Sequence, residues 1–223
     1  METSKQALII GASRGIGLGL ANTLSQRGWK VTATTRSHAP LSDSGIYWLT
    51  ADINEPTQRQ TLKNAIEDQT FDVIFVNAGV FGPDDQDIEQ AKDDELAALF
   101  LTNAISPVRC GSELLPLLSA STGILALMTS QLASLNENPS ATYPLYSASK
   151  MALNMLSRPL AEKLSASQTL LNVHPGWVQT DMGGENATLT VKESTNGIVD
   201  QLELWSGKGG HHYIDYAGKK LSW

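Results

Sequence analysis

The sequence predicts a single-domain α/β protein in which a doubly wound, mostly parallel sheet of about seven strands carries helices on both faces. Short apolar runs alternate with longer stretches along the 223 residues. Continuous apolar runs are typical of parallel strands that are buried on both faces. The longer stretches are long enough for the helical crossovers that parallel strands require. The predicted strands are 7–10, 31–35, 46–49, 71–76, 123–128, 169–173 and 212–214.

Apolar residues at helical spacing support these crossovers. Pro56 suits the first turn of a helix, whereas Pro159 lies inside a long helical stretch and predicts a kink there. The predicted helices are 16–27, a segment that starts at Pro56, 95–101, 107–118 and 146–164.

The composition excludes several classes of protein. Hydrophobic residues make up 41% and charged residues 17% of the chain, which excludes a disordered or collagen-like protein. The net charge of −7 argues against a nucleic-acid partner. The single cysteine, Cys110, excludes an intramolecular disulfide and a zinc site made of several thiolates, and it fits a reducing compartment.

Two further segments bear on metals and membranes. Residues 84–95 are rich in acids, but they predict a solvated loop and a helix start rather than a metal site, because nothing brings the acids together. The first apolar run, 7–10, is too short for a signal peptide or a membrane span. We therefore expect a cytoplasmic protein with no metal and no membrane partner.

Three glycines follow the first predicted strand. Gly11 allows a tight turn, Gly15 lets a pyrophosphate approach the backbone, and Gly17 lets the following helix pack on the sheet. The helix N-terminus would then face negative charge. A plain strand–helix turn is the alternative, but it rarely needs three glycines. The loop residues predicted to bind a dinucleotide are Gly11, Ser13, Arg14, Gly15, Ile16 and Gly17.

The residue at the end of the second predicted strand indicates which dinucleotide the protein binds. An acid at this point would bind the ribose 2′-hydroxyl of NAD, but the sequence has Arg36 instead. Arg36 and Arg14 can pair with a ribose 2′-phosphate. The alternative is that both are surface arginines. The missing acid and the two cations favour NADP over NAD.

Other strand ends supply further candidates for the cofactor site. Asp52 could accept a hydrogen bond from the adenine amino group, or it could be a solvated loop residue. Asn77 could tie neighbouring strand ends together, and the small residues after it permit backbone close to a ribose. Thr180 could bond the nicotinamide amide. The remaining predicted contacts are Ile53, Ala78, Gly79, Pro175, Gly176 and Val178.

Tyr146 and Lys150 are four residues apart and share a face if the segment is helical. An ammonium group beside a phenol stabilises the phenolate and lowers the tyrosine pKa. A helix-surface pair is the alternative. Ser130 follows the fifth predicted strand and can donate a hydrogen bond to a substrate carbonyl, although Ser134 and Thr129 are rivals.

These motifs agree in order and approximate spacing over nearly the whole chain, and together they resemble the short-chain dehydrogenase/reductase family, which has a Rossmann fold. Residues 174–184 and 215–223 look like the small C-factor-like and sniffer-like carbonyl reductase branch. Three features depart from the family pattern. Ile10 stands where the family has a threonine, and the interval between Ser130 and Tyr146 is longer than is common. Pro159, in the predicted helix after Lys150, is unusual for the family.

The resemblance implies a catalytic tetrad. Tyr146 would exchange a proton with the substrate, and Ser130 would orient and polarise its carbonyl group. Lys150 would bind the nicotinamide ribose and lower the pKa of Tyr146, and Asn103 would hold a water in a proton relay through Lys150. Hydride would pass between nicotinamide C4 and the substrate carbon.

The sequence thus predicts an NADP-dependent oxidoreductase that acts on a small carbonyl or alcohol substrate such as an aldehyde, ketone or quinone. The alternatives are an NADP(H)-binding regulatory protein with little turnover and a structural protein that binds no nucleotide. Residues 1–223 would form one Rossmann domain with a short substrate lid around 181–194, and family analogy suggests a homodimer or homotetramer. Possible pocket walls are Leu132, Trp177 and Met182.

Overall fold

The strands form one sheet in which every neighbouring pair is parallel, in a computed structural model that describes residues 4–38, 40 and 45–223. Within these residues the sheet has seven strands in the order β3-β2-β1-β4-β5-β6-β7. The predicted α/β class and parallel sheet are confirmed. The strands are β1 (Gln6–Ile10), β2 (Lys30–Thr35), β3 (Ile46–Thr50), β4 (Val73–Val76), β5 (Ile124–Met128), β6 (Thr169–His174) and β7 (Gly210–Asp215).

Helices cover both faces of this sheet. A π-helical turn, Leu101–Ile105, joins α3 to α4. Short 3₁₀ turns follow α4, at Leu115–Leu117, and β5, at Gln131–Ala133. The α-helices are α1 (Gly15–Gln26), α2 (Pro56–Ala65), α3 (Asp93–Phe100), α4 (Ser106–Leu114), α5 (Pro144–Ala161) and α6 (Val191–Trp205).

Alternate residues of the central strands lie in two separate cores, as the period of a strand requires. Ile9 of β1 belongs to the core that α1 and α6 cover, where Leu20 and Ile198 are fully buried. Leu8, its neighbour on the strand, belongs to the core beneath α2, α4 and α5, together with Leu153. The central strands β1, β4 and β5 are therefore apolar on both faces, which explains their continuous apolar runs in the sequence.

Helix α6 is absent from the sequence prediction. It begins at Val191, inside the range 181–194 that was predicted as a lid. The Thr190 hydroxyl accepts a hydrogen bond from the Glu193 amide at 3.2 Å, and the Glu193 carboxylate accepts one from the Thr190 amide at 2.8 Å. This capping box, a threonine followed three residues later by a glutamate, is the signal that would have located the helix start.

The sheet order places the site. The chain moves outward from β1 to β2 and β3, then returns to add β4 on the other side of β1. In open parallel sheets, ligands bind at the carboxyl ends of the strands on either side of such a reversal. Here these ends are Ile10 and Val76, which are paired neighbours.

Candidate active site

A cavity of about 870 Å³ opens at this edge of the sheet. Its lining includes Ser130, Tyr146 and Lys150 of the predicted catalytic group. Gly17 and Asn103 do not line it. The predicted cofactor residues that line it are Gly11, Ser13, Arg14, Gly15, Ile16, Arg36, Asp52, Ile53, Asn77, Ala78, Gly79, Pro175, Gly176, Val178 and Thr180. The fold thus brings together motifs that lie far apart in the sequence.

The glycine loop is held by close backbone contacts. Gly11 has a φ of +80°, and a Cβ at this position would lie 3.0 Å from the backbone of Ala78. A Cβ on Gly17 would lie 2.2 Å from the carbonyl oxygen of Gly11, to which the side-chain amide of Asn77 donates at 2.8 Å. Gly17 therefore packs α1 against the loop itself, and Asn77 ties the end of β4 to it.

The start of α1 presents its first-turn amides without competition from side chains. Arg14, the residue before the helix, makes no side-chain cap, and the first turn contains no acid. A Cβ on Gly15 would meet only the Thr180 side chain within 4 Å, at 3.5 Å. The amide groups at a helix N-terminus attract anions. This part of the cavity therefore fits a pyrophosphate.

The two predicted phosphate-binding arginines differ in their surroundings. The Arg14 guanidinium pairs with the carboxylate of Asp181, and both side chains are exposed. Arg36 follows β2, lines the cavity and forms no ion pair with any residue of the described ranges. Arg36 is thus the arginine that is available to a 2′-phosphate without first leaving a partner.

Asp52 lies at the cavity and also forms part of a turn. It lines the cavity, and its Oδ1 accepts a hydrogen bond from the Asn54 amide at 2.9 Å. Its own amide donates to Gln58 at 2.8 Å. These contacts form the turn that leads into α2, so the aspartate has a structural function whether or not it contacts an adenine.

Tyr146 and Lys150 lie in the first two turns of α5. Lys150 is 2% exposed, and its Nζ donates a hydrogen bond to the Met128 carbonyl oxygen at 2.9 Å. Nζ lies 5.9 Å from the centre of the Tyr146 ring. Burial lowers the pKa of Lys150 to about 8, because the charged ammonium group loses contact with water.

The pKa of Tyr146 is raised, whereas the sequence predicts that the neighbouring lysine lowers it. Burial raises the pKa of Tyr146 to about 12, and a hydrogen bond from the Ser130 hydroxyl opposes this rise. The expectation of a lowered pKa is wrong for this geometry, because loss of hydration is the largest effect on the phenol. The phenol is therefore protonated at neutral pH.

Ser130 is distinguished from its rivals by its partners. Thr129 donates to the Asn154 side chain at 2.9 Å, and the Ser134 hydroxyl accepts from the Glu137 amide at 3.2 Å. Both contacts are within the protein framework. The Ser130 hydroxyl also accepts a hydrogen bond within the framework, from the Leu132 amide at 3.2 Å, but of the three hydroxyls it is the one that lowers the pKa of Tyr146.

Asn103 lies in the π-helical turn and is fully buried. Its amide nitrogen donates to the Val80 carbonyl at 2.8 Å and to the Ser149 hydroxyl at 2.9 Å, and its oxygen accepts from the Val80 amide at 2.8 Å. A Cβ on Gly79 would lie 3.1 Å from Lys150 Nζ and 3.3 Å from Asn103 Oδ1. Asn103 therefore clamps the chain after β4 directly beside Lys150. A π-turn is frequent at functional sites.

The segment after β6 is closed by its own hydrogen bonds. The Thr180 hydroxyl accepts from the Gly183 amide at 3.1 Å, and the Trp177 indole donates to the Gly183 carbonyl at 2.8 Å. Gln179 and Leu189 are joined through their backbones at 2.8 Å. The segment 177–189 is thus a loop held by internal hydrogen bonds, to which the Thr180 hydroxyl contributes, and its residues 177–183 line the cavity.

Two aromatic residues beside Tyr146 were missed by the sequence reasoning. Phe81 stacks on Tyr146 with ring centres 5.6 Å apart and makes an edge contact with Tyr143 at 5.0 Å. Both line the cavity, as do the three predicted wall residues. The signal for Phe81 was an apolar pair, Val80-Phe81, directly after the small residues that end β4. The predicted walls are Leu132, Trp177 and Met182.

The fold and this group of residues define a nucleotide-binding oxidoreductase class. Residues 5–189 match the model of the short chain dehydrogenase family. The chain belongs to that family, and the resemblance inferred from its motifs is confirmed. Within the described residues, no helix combines the length and apolar character needed to cross a membrane.

Three known proteins show which members the chain is similar to. C-signal of Myxococcus xanthus is 36% identical over 157 residues, which cover 68% of this chain and 92% of that protein. A carbonyl reductase from Pseudomonas aeruginosa PAO1, solved in complex with NADP, is 39% identical with a TM-score of 0.90 and covers 99% of this chain and 100% of its own. The carbonyl reductase Sniffer of Drosophila melanogaster is 28% identical with a TM-score of 0.84 and the same coverage. The placement near C-factor-like and sniffer-like proteins is confirmed.

Proposed function

We propose that the protein reduces small carbonyl compounds with NADPH and that Tyr146 supplies the proton. The observation that carries this proposal is the group of side chains at the cavity, in which the hydroxyl of Ser130, the phenol of Tyr146 and the ammonium of Lys150 lie together. Ser130 lies between β5 and the 3₁₀ turn that follows it, whereas Tyr146 and Lys150 share one face of α5. A proton donor beside a carbonyl polariser is the machinery that carbonyl reduction requires.

The cofactor would be held by this chain's backbone and by Arg36. The uncapped start of α1 and the glycine loop would bind the pyrophosphate, and Arg36 would bind the 2′-phosphate. The NADP in the solved Pseudomonas aeruginosa carbonyl reductase supports NADP over NAD. When bound, the nicotinamide would supply the hydride, and the protein would supply orientation and the proton.

The protonation state of Tyr146 fits the reducing direction. Since the phenol is protonated at neutral pH, it is ready to donate its proton to the carbonyl oxygen as that oxygen gains negative charge. The Ser130 hydroxyl would hold the same oxygen and then stabilise the phenolate that remains. Lys150, with its pKa lowered to about 8, is still largely protonated at neutral pH and would stabilise the phenolate electrostatically.

Asn103 would act through the backbone and Lys150. Its three hydrogen bonds hold Val80 and Ser149, and this contact fixes the strand end that borders Lys150 Nζ. The water relay implied by the family resemblance stays a prediction. The substrate would lie against Phe81, Tyr143 and Leu132, beneath a lid that we place in the segment before α6.

We also propose that the protein forms an oligomer. Met155 and Leu156 of α5 are 62% and 43% exposed, although they are large apolar side chains. A second copy of the chain would bury them in a homodimer or homotetramer. Light scattering after gel filtration measures the mass, and Met155→Glu is expected to shift the protein toward the monomer.

Oxidation of NADPH tests the catalytic proposal. A panel of small apolar aldehydes, ketones and quinones is mixed with the protein and NADPH, and the loss of NADPH absorbance is followed against a reaction without protein. We expect turnover of at least one class, and faster turnover with NADPH than with NADH. Tight NADPH binding without turnover of any compound would instead favour a regulatory nucleotide-binding protein.

A further inference from the structure

Gln86 connects the loop after β4 to the helix that carries Tyr146. Its side chain is buried, with 6% exposed, although its neighbours in the acid-rich segment are exposed. The amide oxygen accepts a hydrogen bond from the Tyr146 backbone amide at 2.8 Å. The amide nitrogen donates to the carbonyl oxygens of Pro83 at 2.7 Å and Phe81 at 3.2 Å. One side chain thus uses both ends of its amide to join two segments.

Helix α5 lacks a local cap at this end. Tyr143, the residue before the helix, has a left-handed backbone with φ of 49° and makes no side-chain cap. Pro144 has no amide hydrogen, so the early amides that need a partner come from the next residues. The Tyr146 amide is the one that a capping side chain normally satisfies. Gln86 satisfies it from a position 60 residues away in the sequence.

The nitrogen of the Gln86 side-chain amide holds Phe81, an aromatic residue that lines the cavity. Phe81 stacks on the Tyr146 ring, and its backbone carbonyl is one of the two acceptors of Gln86. The glutamine is therefore bonded to the backbones of both rings in this stack. Gln86 itself has a φ of 55°, which is uncommon for a residue other than glycine and persists only where surrounding contacts maintain it.

We propose that Gln86 is a positioning residue for the proposed reaction, which fixes Tyr146 and Phe81 relative to each other by bonding to both of their backbones. Gln86 does not itself line the cavity, and it reaches Tyr146 and Phe81 only through their backbones. The effect of Gln86 on turnover rests on the proposed function, whereas its effect on hydrogen exchange at the Tyr146 amide does not. The two effects are measured separately.

Three variants separate the parts of this contact. Gln86→Met keeps the length of the side chain but removes both the acceptor and the donor. Gln86→Glu keeps an acceptor for the Tyr146 amide and removes the donor to the two carbonyls. The matched control is Gln90→Met, because Gln90 is exposed in the same segment and its side chain makes no hydrogen bond with the described residues.

The kinetic readout is the division of the effect between kcat and KM. We expect Gln86→Met to lower kcat by about tenfold or more, since a small displacement of a reacting group is costly. We expect its Kd for NADPH to stay within about twofold, because the glycine loop is not altered. Gln86→Glu is expected to keep more of kcat than Gln86→Met while it raises KM for the carbonyl, because its cap persists and the Phe81 loop loosens. Gln90→Met should match the parent protein.

Hydrogen exchange provides a readout that does not require activity. We expect the Tyr146 amide to exchange about tenfold faster in Gln86→Met than in the parent and to stay protected in Gln86→Glu and Gln90→Met. Unchanged exchange in Gln86→Met would overturn the proposal, as would a kcat within about twofold of the parent in an active protein. If Gln86→Met does not fold, a Gln86→Glu variant with parental exchange and parental KM contradicts the donor contacts. A parent protein without turnover refutes the proposed function and leaves the exchange test in force.

Discussion

The two sides of the cavity are built by different means. The glycine-loop side, residues 11–17 and 77–79, is made mainly of backbone in close contact, and its shape depends on Gly11 and Gly17, where there is little or no room for a Cβ. The aromatic side, formed by Phe81, Tyr143 and Tyr146, is made of side chains from two segments that Gln86 joins. The first side is fixed by close backbone packing between the glycine loop and the end of β4, and the second depends on the side-chain hydrogen bonds of Gln86.

This difference predicts that changes on the two sides have separable effects. A variant on the aromatic side should impair the chemical step while the nucleotide still binds. A variant on the glycine-loop side should impair nucleotide binding and stability together, since the loop and the start of α1 share the same contacts. The variants below test this separation.

The largest effect is expected for Tyr146→Phe. The variant keeps the ring that stacks on Phe81 but removes the proton donor, so kcat should fall by about 10³-fold. The NADPH Kd should stay close to that of the parent. Steady-state kinetics and a fluorescence titration measure the two quantities, with Tyr47→Phe as the control, because Tyr47 is exposed on β3. Turnover near the parental rate would contradict the assigned role.

The second effect is expected for Gly17→Ala. The new Cβ would lie 2.2 Å from the Gly11 carbonyl oxygen, and an overpacked contact of this kind costs about 1–3 kcal/mol of folding free energy. The loop must move, so NADPH binding should weaken as well. Urea unfolding and a nucleotide titration test both losses.

Gly28→Ala is the control for backbone strain. It has a φ of +84° and no heavy atom within 4 Å of the added Cβ, so it should destabilise the fold by about 1 kcal/mol and leave NADPH binding intact. If both variants bind NADPH equally well, the close packing at Gly17 is not needed for the site.

A pH-dependent effect is expected for Lys150→Met. The pKa of Lys150 is lowered in the folded protein, from 10.5 to about 8, so the unfolded chain holds the proton more tightly. The buried charge therefore destabilises the fold by about 3 kcal/mol below pH 8. This penalty fades as the pH rises toward 10.5. The variant should be inactive, because it lacks the cation.

Urea unfolding at two pH values isolates the contribution of the Lys150 charge to stability. At pH 7, Lys150→Met should unfold at a higher urea concentration than the parent, because removal of the buried charge outweighs the loss of the hydrogen bond to Met128. The difference should shrink at pH 10. A difference that is the same at both pH values would show that the charge is not the cause.

The glycine-loop side was the more predictable of the two from sequence. A strand, three glycines and a helix are adjacent in the chain, so their chemistry is visible without knowledge of tertiary contacts. The sheet was likewise predictable, because apolar runs mark strands buried on both faces. The pairing of Arg14 with Asp181 was not, because those residues are far apart in the sequence.

The aromatic side shows why the rest was missed. Gln86 lies among acids in a segment that was interpreted as a solvated loop, and no local pattern indicates that its side chain is buried. The raised pKa of Tyr146 was also missed, because the tyrosine–lysine spacing reports a neighbouring charge and not the loss of hydration. Contacts and burial of this kind arise only when the chain is folded.

The smallest effects are expected at the two arginines, and their difference sharpens the account of the glycine-loop side. Arg36→Asp should weaken NADPH binding about tenfold to a hundredfold, as expected for a lost charge-assisted hydrogen bond, and leave NADH binding intact. Asp181→Asn releases Arg14 from an exposed ion pair, which is worth about 1 kcal/mol or less, so NADPH affinity should change by less than about tenfold. Titrations with both nucleotides measure the ratio. If Asp181→Asn alters the NADPH-to-NADH ratio and Arg36→Asp does not, Arg14 holds the 2′-phosphate, and the ion pair with Asp181 competes with the nucleotide.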